Sequence, residues 1–273
     1  MQQAEEIAID LLIEAIRRKY GYDFKHYQRS TIKNRFEKYR NQLGLSSISE
    51  IIPVILRDRE RFEELLLELS VTVTEMFRDS ESHEVIRRKV IPQLKTYPYI
   101  NAWHAGCATG EEAYSMAILL KEEAMLHRTQ IYATDINDRS LGIAQKGIYP
   151  LHEMKRNTAN YNRTGGEGTF TDYYHVRYKS AKMNQEFIDS ITFSRHNLVT
   201  DGVFAEMQLI VCKNVLIYFD RHLQNRVLKL FADSLCHNGF LCLGNTESLE
   251  FLEVHSQFEF VDDAAHIYRK KII

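Results

Sequence analysis

A chain of 273 residues can bury one sizeable core and leave room for a small second unit. Its 44% hydrophobic and 26% charged content, with a formal net charge of -2, gives no overall pull toward nucleic acid or an anionic membrane. The acidic start MQQAEEIAID lacks the basic-then-apolar order of a signal peptide, and no apolar run approaches the roughly 20 residues that span a bilayer. A cytoplasmic protein, not integral to a membrane, is therefore expected. Cys107, Cys212, Cys236 and Cys242 form no CxxC pair and have no histidines at finger-like spacing. They read as reduced thiols in or near a core, and no metal site is expected.

The first 75 or so residues read as helices only. Ile9, Leu12, Ile13 and Ile16 recur at helical spacing, with Gly21 as a stop. Tyr27, Ile32, Phe36, Tyr39 and Leu43 make a second stripe closed by Gly44; a third segment starts near Ser47, with Glu50 placed for a capping box. Phe62, Leu65, Leu66 and Leu69 give a fourth. Helices this short need one another's apolar faces, so a small bundle over residues 1–78 is predicted. Between Lys19 and Arg40 lie Lys25, Arg29, Lys33, Arg35 and Lys38, against only Asp23 and Glu37. This is either a solvated helix face or a docking surface for an acidic partner. Nucleic acid is not the expected partner, since no DNA-binding motif accompanies the charge.

From about residue 95 strands alternate with helices. YINAWHA, QIYATDI, MQLIVCKN and GFLCLGN read as strands; EEAYSMAILLKEEA, SLGIAQKGIY (ending near Gly147) and RHLQNRVLKLFADSL read as helices. The order predicts an α/β domain over residues 79–273, with an open, mainly parallel, Rossmann-like sheet. The tail FEFVDDAAHIYRKK predicts an antiparallel pair at the sheet edge. Residues 155–190 interrupt the alternation; TDYYHVRYKSAKMNQEF has strand character, so an inserted subdomain or lid is expected there.

In such a sheet, ligands bind beyond the carboxyl ends of the strands. After the first strand comes HAGCATGEEAYS, where Gly106 and Gly110 permit a tight turn and close ligand approach. Glu111 and Glu112 at the start of the next helix make a poor phosphate cradle, so a cationic or hydroxyl-rich ligand fits better than a pyrophosphate. Asp135 ends the second strand about 30 residues later. Taken alone it reads as a turn or capping aspartate as readily as a ribose ligand. Together with the glycine turn it points to an adenosyl ligand without phosphates, S-adenosylmethionine.

HAGCATGEEAYSMA, ATDI, HNLV, VCKNVLIYFD, VTVTEMFRD and GNTESL, in that domain context, resemble the motifs of the chemotaxis receptor methyltransferase family, CheR. The resemblance covers nearly the whole chain. It implies a methyltransferase that moves a methyl group from S-adenosylmethionine to receptor glutamate side chains, with S-adenosylhomocysteine as product. It further implies that Thr72, Thr74 and Arg78 reach over the cofactor, with Arg78 near the reacting end. Glu112, aided by Glu111, would lie against the methionine portion, Asp135 would hold the ribose, and Asn197 and Leu198 would flank the adenine. Lys213 and Asn214 would close the site, and Tyr218 would sit near the transferred methyl group. The partner implied is the cytoplasmic domain of a methyl-accepting receptor, docked through the basic helix around Lys19–Arg40, with the enzyme acting as a monomer.

Three departures from the family pattern stand out. Lys213 replaces the usual arginine, GNTE replaces a GHSE-like motif, and residues 155–190 do not closely match the glycine-containing hairpin of relatives that dock on a receptor's C-terminal peptide. A glutamate carboxylate, with a pKa of about 4.3, is already an ionised nucleophile at neutral pH, so no general base is expected. The alternatives are a methyltransferase of this fold acting on another acceptor, and a non-catalytic S-adenosylmethionine-binding signalling module.

Overall fold

The computed structural model describes residues 2–70, 74–250 and 252–272. Two compact units are present: Met1–Thr72 with Tyr218–Arg226, and Val73–Ile217 with Val227–Ile273. The division falls before residue 78, where the sequence alone placed it, and the first unit recruits a distant segment.

That first unit contains α1 (Gln2–Tyr20), α2 (Arg29–Gln42), α3 (Ile51–Arg57) and α4 (Arg59–Leu69). The predicted stripes are its core: Ile9, Leu12, Ile16, Ile32, Phe36, Tyr39, Phe62 and Leu65 are all buried. Tyr20 stacks on Phe62 with ring centroids 3.7 Å apart. Two local expectations differ. Tyr27 precedes α2 and pairs through its backbone with Phe219. Ser47 does not complete a capping box, because its hydroxyl donates to the Glu50 carboxylate at 3.0 Å and the segment opens as a 3₁₀ turn over Ile48–Glu50. The returning segment is held by backbone bonds from Gln28 N to Tyr218 O (2.8 Å) and from Asp220 N to His26 O (2.8 Å).

Three cations of α2 are paired with acids within this unit. Arg29 pairs with Glu6 and Asp10 (both 2.8 Å), and Lys33 with Glu5 at 2.9 Å. Lys38 pairs with Glu68 at 2.7 Å. Arg29 and Lys33 are thus not the uncommitted cations expected of a docking face, because α1 lays its acids beside them.

The second unit begins with α5 (Ser80–Val85), a π turn over Ile86–Val90, and α6 (Ile91–Leu94). It continues through β1 (Ile100–Ala105), α7 (Glu111–Glu122), β2 (Thr129–Asp135) and α8 (Asp138–Lys146). Next come β3 (Ile148–Pro150), α9 (Leu151–Tyr161), β4 (Tyr174–Arg177), β5 (Ser180–Met183) and α10 (Gln185–Ser190). The chain closes with β6 (Ile191–Arg195), β7 (Met207–Cys212), α11 (Arg221–Ser234), β8 (Leu235–Leu243), β9 (Phe258–Asp262) and β10 (Ile267–Lys270).

The main sheet has the order β6-β2-β1-β7-β8-β10-β9. Strands β6, β2, β1, β7 and β8 run parallel, and β10 and β9 form the predicted antiparallel edge. MQLIVC of β7 is buried at every position, as a central parallel strand must be. Strand order reverses between β1 and β7, which opens a crevice at their carboxyl ends.

The interruption is a built subdomain. A three-stranded antiparallel sheet, β3-β5-β4, starts at residue 148, earlier than expected, and encloses α9 in sequence. The Tyr161 and Tyr173 hydroxyls both donate to the Glu122 carboxylate of α7, which also receives Arg87. These bonds fasten the insert to the main fold.

Candidate functional site

The turn after β1 and the end of β2 are tied together. Gly106 N and Cys107 N donate to Thr134 O at 2.8 and 2.9 Å, and Ala108 N donates to Asp135 Oδ2 at 2.9 Å. Asp135 Oδ1 accepts from Asn137 N at 2.9 Å. Each carboxylate oxygen keeps a lone pair beyond the one this loop uses. Burial raises the Asp135 carboxyl, against the pull of these backbone donors. Gly106 has φ +75°, and a Cβ there would meet Val215 Cγ2 at 2.5 Å, so both conformation and space require glycine.

His196 N, after β6, donates to Asp135 O at 3.1 Å, which draws the following turn beside the same carboxyl end. Asn197 and Leu198 are buried in that turn. The Asn197 side-chain oxygen accepts from Val199 N (3.0 Å), and the Asn197 backbone N–H donates to Asp201 Oδ2 (2.8 Å).

Glu111 and Glu112 part company at the start of α7. Glu111 turns into the fold, where Thr109 Oγ1 lies 2.7 and 2.9 Å from its two oxygens; burial pushes its carboxyl up to about 7. Glu112 faces Lys213, whose Nζ lies 2.9 Å away, and His83 Nε2 at 3.5 Å. Burial acts to raise the Glu112 carboxyl, but Lys213 and two histidines outweigh it and hold it well below the usual range. His83 and His104 are fully buried, which lowers both imidazoles to about 4 and leaves them neutral at pH 7. Neither ring nitrogen of His104 has a hydrogen-bond partner among the described residues.

Arg78 sits between two residues in the left-handed region, Phe77 (φ 55°) and Asp79 (φ 54°). That strain, of order 1–3 kcal/mol per residue, persists because the segment is clamped. Phe77 N donates to Ser115 Oγ at 2.8 Å, and Met76 N to Asn157 Oδ1 of α9 at 3.2 Å. Asn160 Nδ2 returns a bond to Met76 O at 3.1 Å. The Arg78 guanidinium makes no ion pair among the described residues. Thr74 is half-buried on the same segment, whereas Thr72 lies outside the described residues.

Asn214 is also left-handed (φ 60°), at the point where the chain leaves β7. Tyr218 ends the 3₁₀ turn Leu216–Tyr218 and belongs to the helical unit. Sequence reasoning overlooked three groups here: the buried histidines, the α9 asparagines and Glu247. The only signal was the GNTE motif itself, which was legible without a role.

The family model for the CheR methyltransferase SAM binding domain matches residues 72–267, and that for the CheR all-alpha domain matches residues 7–70. The chain belongs to the CheR methyltransferase family. It is 47% identical over 265 residues, covering 97% of each chain, to a protein named putative methyltransferase Cher3 from Pseudomonas putida. It is 27% identical over 236 residues to a chemotaxis protein methyltransferase of Listeria innocua, covering 86% of this chain and 87% of that one. Chemotaxis protein methyltransferase 1 of Vibrio cholerae is 28% identical over 253 residues, covering 88% and 86%.

Membership in the CheR family makes S-adenosylmethionine the cofactor of the second unit. The residues present suit it. A largely buried carboxylate and ammonium, Glu112 and Lys213, offer complements to an amino acid's ammonium and carboxylate. The Lys213 ammonium has three donors and spends one direction on Glu112. Among the described residues no helix is long and apolar enough to cross a membrane, and no cluster of His, Cys, Asp and Glu suits a metal ion.

Proposed function

We propose that this protein transfers a methyl group from S-adenosylmethionine to glutamate side chains in the cytoplasmic domain of a chemotaxis receptor. The products are glutamyl methyl esters and S-adenosylhomocysteine, and the reaction takes place in the cytoplasm. The observation that carries the reading is the pairing of an adenosyl-type site at the β1, β2 and β7 ends with Arg78, whose guanidinium makes no ion pair among the described residues, on a clamped and strained segment.

When bound, S-adenosylmethionine supplies a methyl group activated by the adjacent sulfonium. Glu112 and Lys213 would hold the amino acid end, Asp135 would accept from the ribose hydroxyls, and Asn197 and Leu198 would flank the base. Thr74 would cover the site from the Arg78 segment. Arg78 steers the acceptor carboxylate, and Tyr218 positions it. The acceptor carboxylate would take up the methyl group, with the S–C bonding pair retained by sulfur. The acceptor is already ionised, so alignment replaces proton transfer, an effect worth roughly 7–11 kcal/mol in favourable cases. His83 and His104 are not required as bases; they are buried behind Glu112.

The test is transfer of radioactive methyl groups to receptor-containing membranes, followed by mild base. Carboxyl esters release volatile methanol, and the labelled peptides should map to receptor glutamates. Base-stable label, or label on another class of molecule, would refute the acceptor assignment.

A further inference from the structure

We infer that Glu247 is the positioning residue of the cofactor site, acting as an anionic anchor for the loop that carries Lys213 and Asn214. This rests on the reading of those two residues as cofactor contacts. Glu247 is 4% exposed and sits beyond the end of β8, in the GNTE turn. Its carboxylate collects backbone N–H groups rather than side chains. Oε2 accepts from Asn214 (2.9 Å) and Gly244 (2.8 Å). Oε1 accepts from Val215 (2.8 Å) and Leu216 (2.7 Å), with Ile217 at 3.4 Å.

These donors need such a partner. After Cys212 the chain leaves the sheet, and the N–H groups of residues 214–217 lose their ladder acceptors in a partly buried place. One ionised acceptor satisfies them together and makes each bond charge-assisted. Successive N–H groups around one anion form a nest, here filled by the protein's own side chain. Gly244 is part of the device: a Cβ there would stand 2.8 Å from Glu247 Oε2 and 3.0 Å from Asn214 N.

The anchored loop reaches both walls of the site. Its Val215 rests against Gly106 of the glycine turn, so the loop's height sets that of the turn. The same GNTE turn sends Asn245 Nδ2 to Asp79 Oδ1 at 3.2 Å, beside Arg78. One short turn thereby braces the segment after β7 and the segment bearing the strained Arg78. Lys213, one residue before the anchored stretch, is kept where its ammonium meets Glu112.

The experiment joins hydrogen exchange with titration calorimetry on the full chain, using S-adenosylhomocysteine as the probe. In the unmodified protein without ligand, the amides of residues 214–217 should already be protected; rapid exchange there would overturn the inference without any mutant. Glu247→Gln replaces an acceptor oxygen by a donor NH₂ facing N–H groups. Folded E247Q should exchange those amides faster and bind the probe at least about tenfold more weakly, as loss of charge-assisted bonds implies. Glu247→Asp keeps the charge on a shorter arm and should recover part of the affinity. Glu122→Gln removes a buried carboxylate from the insert side of α7, so it should lower stability with probe affinity unchanged. An E247Q affinity within about twofold of wild type, or an equal loss in E122Q, sinks the anchoring role. Because the readout is cofactor binding, failure of receptor methylation would leave this result standing and count against the acceptor assignment alone.

Discussion

Lys213 Nζ stands 2.9 Å from Glu112 Oε1, with the two side chains only 5% and 14% exposed. The pair joins the end of β7 to the start of α7 across the crevice where strand order reverses. A buried pair of this kind is costly to halve, because the remaining charge keeps its desolvation penalty without its partner. Lys213→Met should therefore cost about 3–5 kcal/mol in denaturant unfolding. Lys213→Met with Glu112→Leu should cost far less, while abolishing S-adenosylhomocysteine binding. A double-variant loss equal to the sum of the Lys213→Met and Glu112→Leu losses would show that the pair is not coupled.

Stability should fall on mild acidification, for a definite reason. His104 is held at about 4, below its usual 6.5, by burial. Between those values the unfolded chain binds a proton that the folded chain refuses, so stability present above pH 6.5 is lost toward pH 4. Glu111, raised by burial from 4.5 to about 7, works in the opposite sense: it favours the folded state at low pH and loses that advantage as pH rises to 7. One proton corresponds to about 1.4 kcal/mol per pH unit. His104→Gln should flatten the dependence of unfolding free energy on pH from 6.5 to 4.5 by about one proton, and Glu111→Gln should steepen it by about one. Unchanged slopes in both variants would contradict the burial argument.

Asp135→Ala should weaken S-adenosylhomocysteine binding by about 1.5–3 kcal/mol, the usual worth of hydrogen bonds to a charged group. The Asp135 carboxylate also holds Ala108 N and Asn137 N, so a stability loss of about 1–3 kcal/mol should accompany it. Calorimetry and chemical unfolding measure the two separately. Unaltered affinity in folded protein would remove Asp135 from the site.

Arg78→Ala removes a guanidinium that makes no ion pair among the described residues, so the thermal midpoint should barely move. Turnover should fall about 10²-fold if Arg78 orients the acceptor, with cofactor affinity affected less. A variant that loses stability but keeps specific activity would reassign Arg78 to structure.

Arg29→Glu with Lys33→Glu tests the helical unit. Because Arg29 faces Glu6 and Asp10, and Lys33 faces Glu5, the reversed charges meet acids. The thermal midpoint should drop at low salt and recover partly at high salt, where repulsion is screened. Exchanging the charges of Glu5, Glu6 and Asp10 as well should restore it. A double variant that keeps wild-type stability but loses salt-dependent receptor methylation would return these residues to a docking role.

The periodic parts of this chain are legible in its amino-acid order. Ile9, Leu12, Ile16, Phe36 and Leu65 declare their buried faces by spacing alone, and β1, β2, β7 and the β9–β10 edge do so by apolar runs between turns. The glycine turn and Asp135 are legible because a βα crossing imposes order along the chain as well as in space. Strand β6, ITFSR, is not: it is short, and polar residues break its pattern. Nor can spacing reveal which faces meet. Glu5 lies 28 residues from Lys33, Glu247 lies 30 to 33 residues beyond the N–H groups of residues 214–217, and Tyr218 joins helices from the start of the chain. Local sequence determined the helices, the strands and the order of the site's motifs, because backbone hydrogen bonding and burial periodicity act over a few residues. Only the tertiary structure decided that Arg29 and Lys33 are paired, that Glu111 and Glu112 face different surroundings, and that Glu247 of GNTE meets the N–H groups after β7. Those outcomes depend on which distant polar groups end up desolvated together and must satisfy one another.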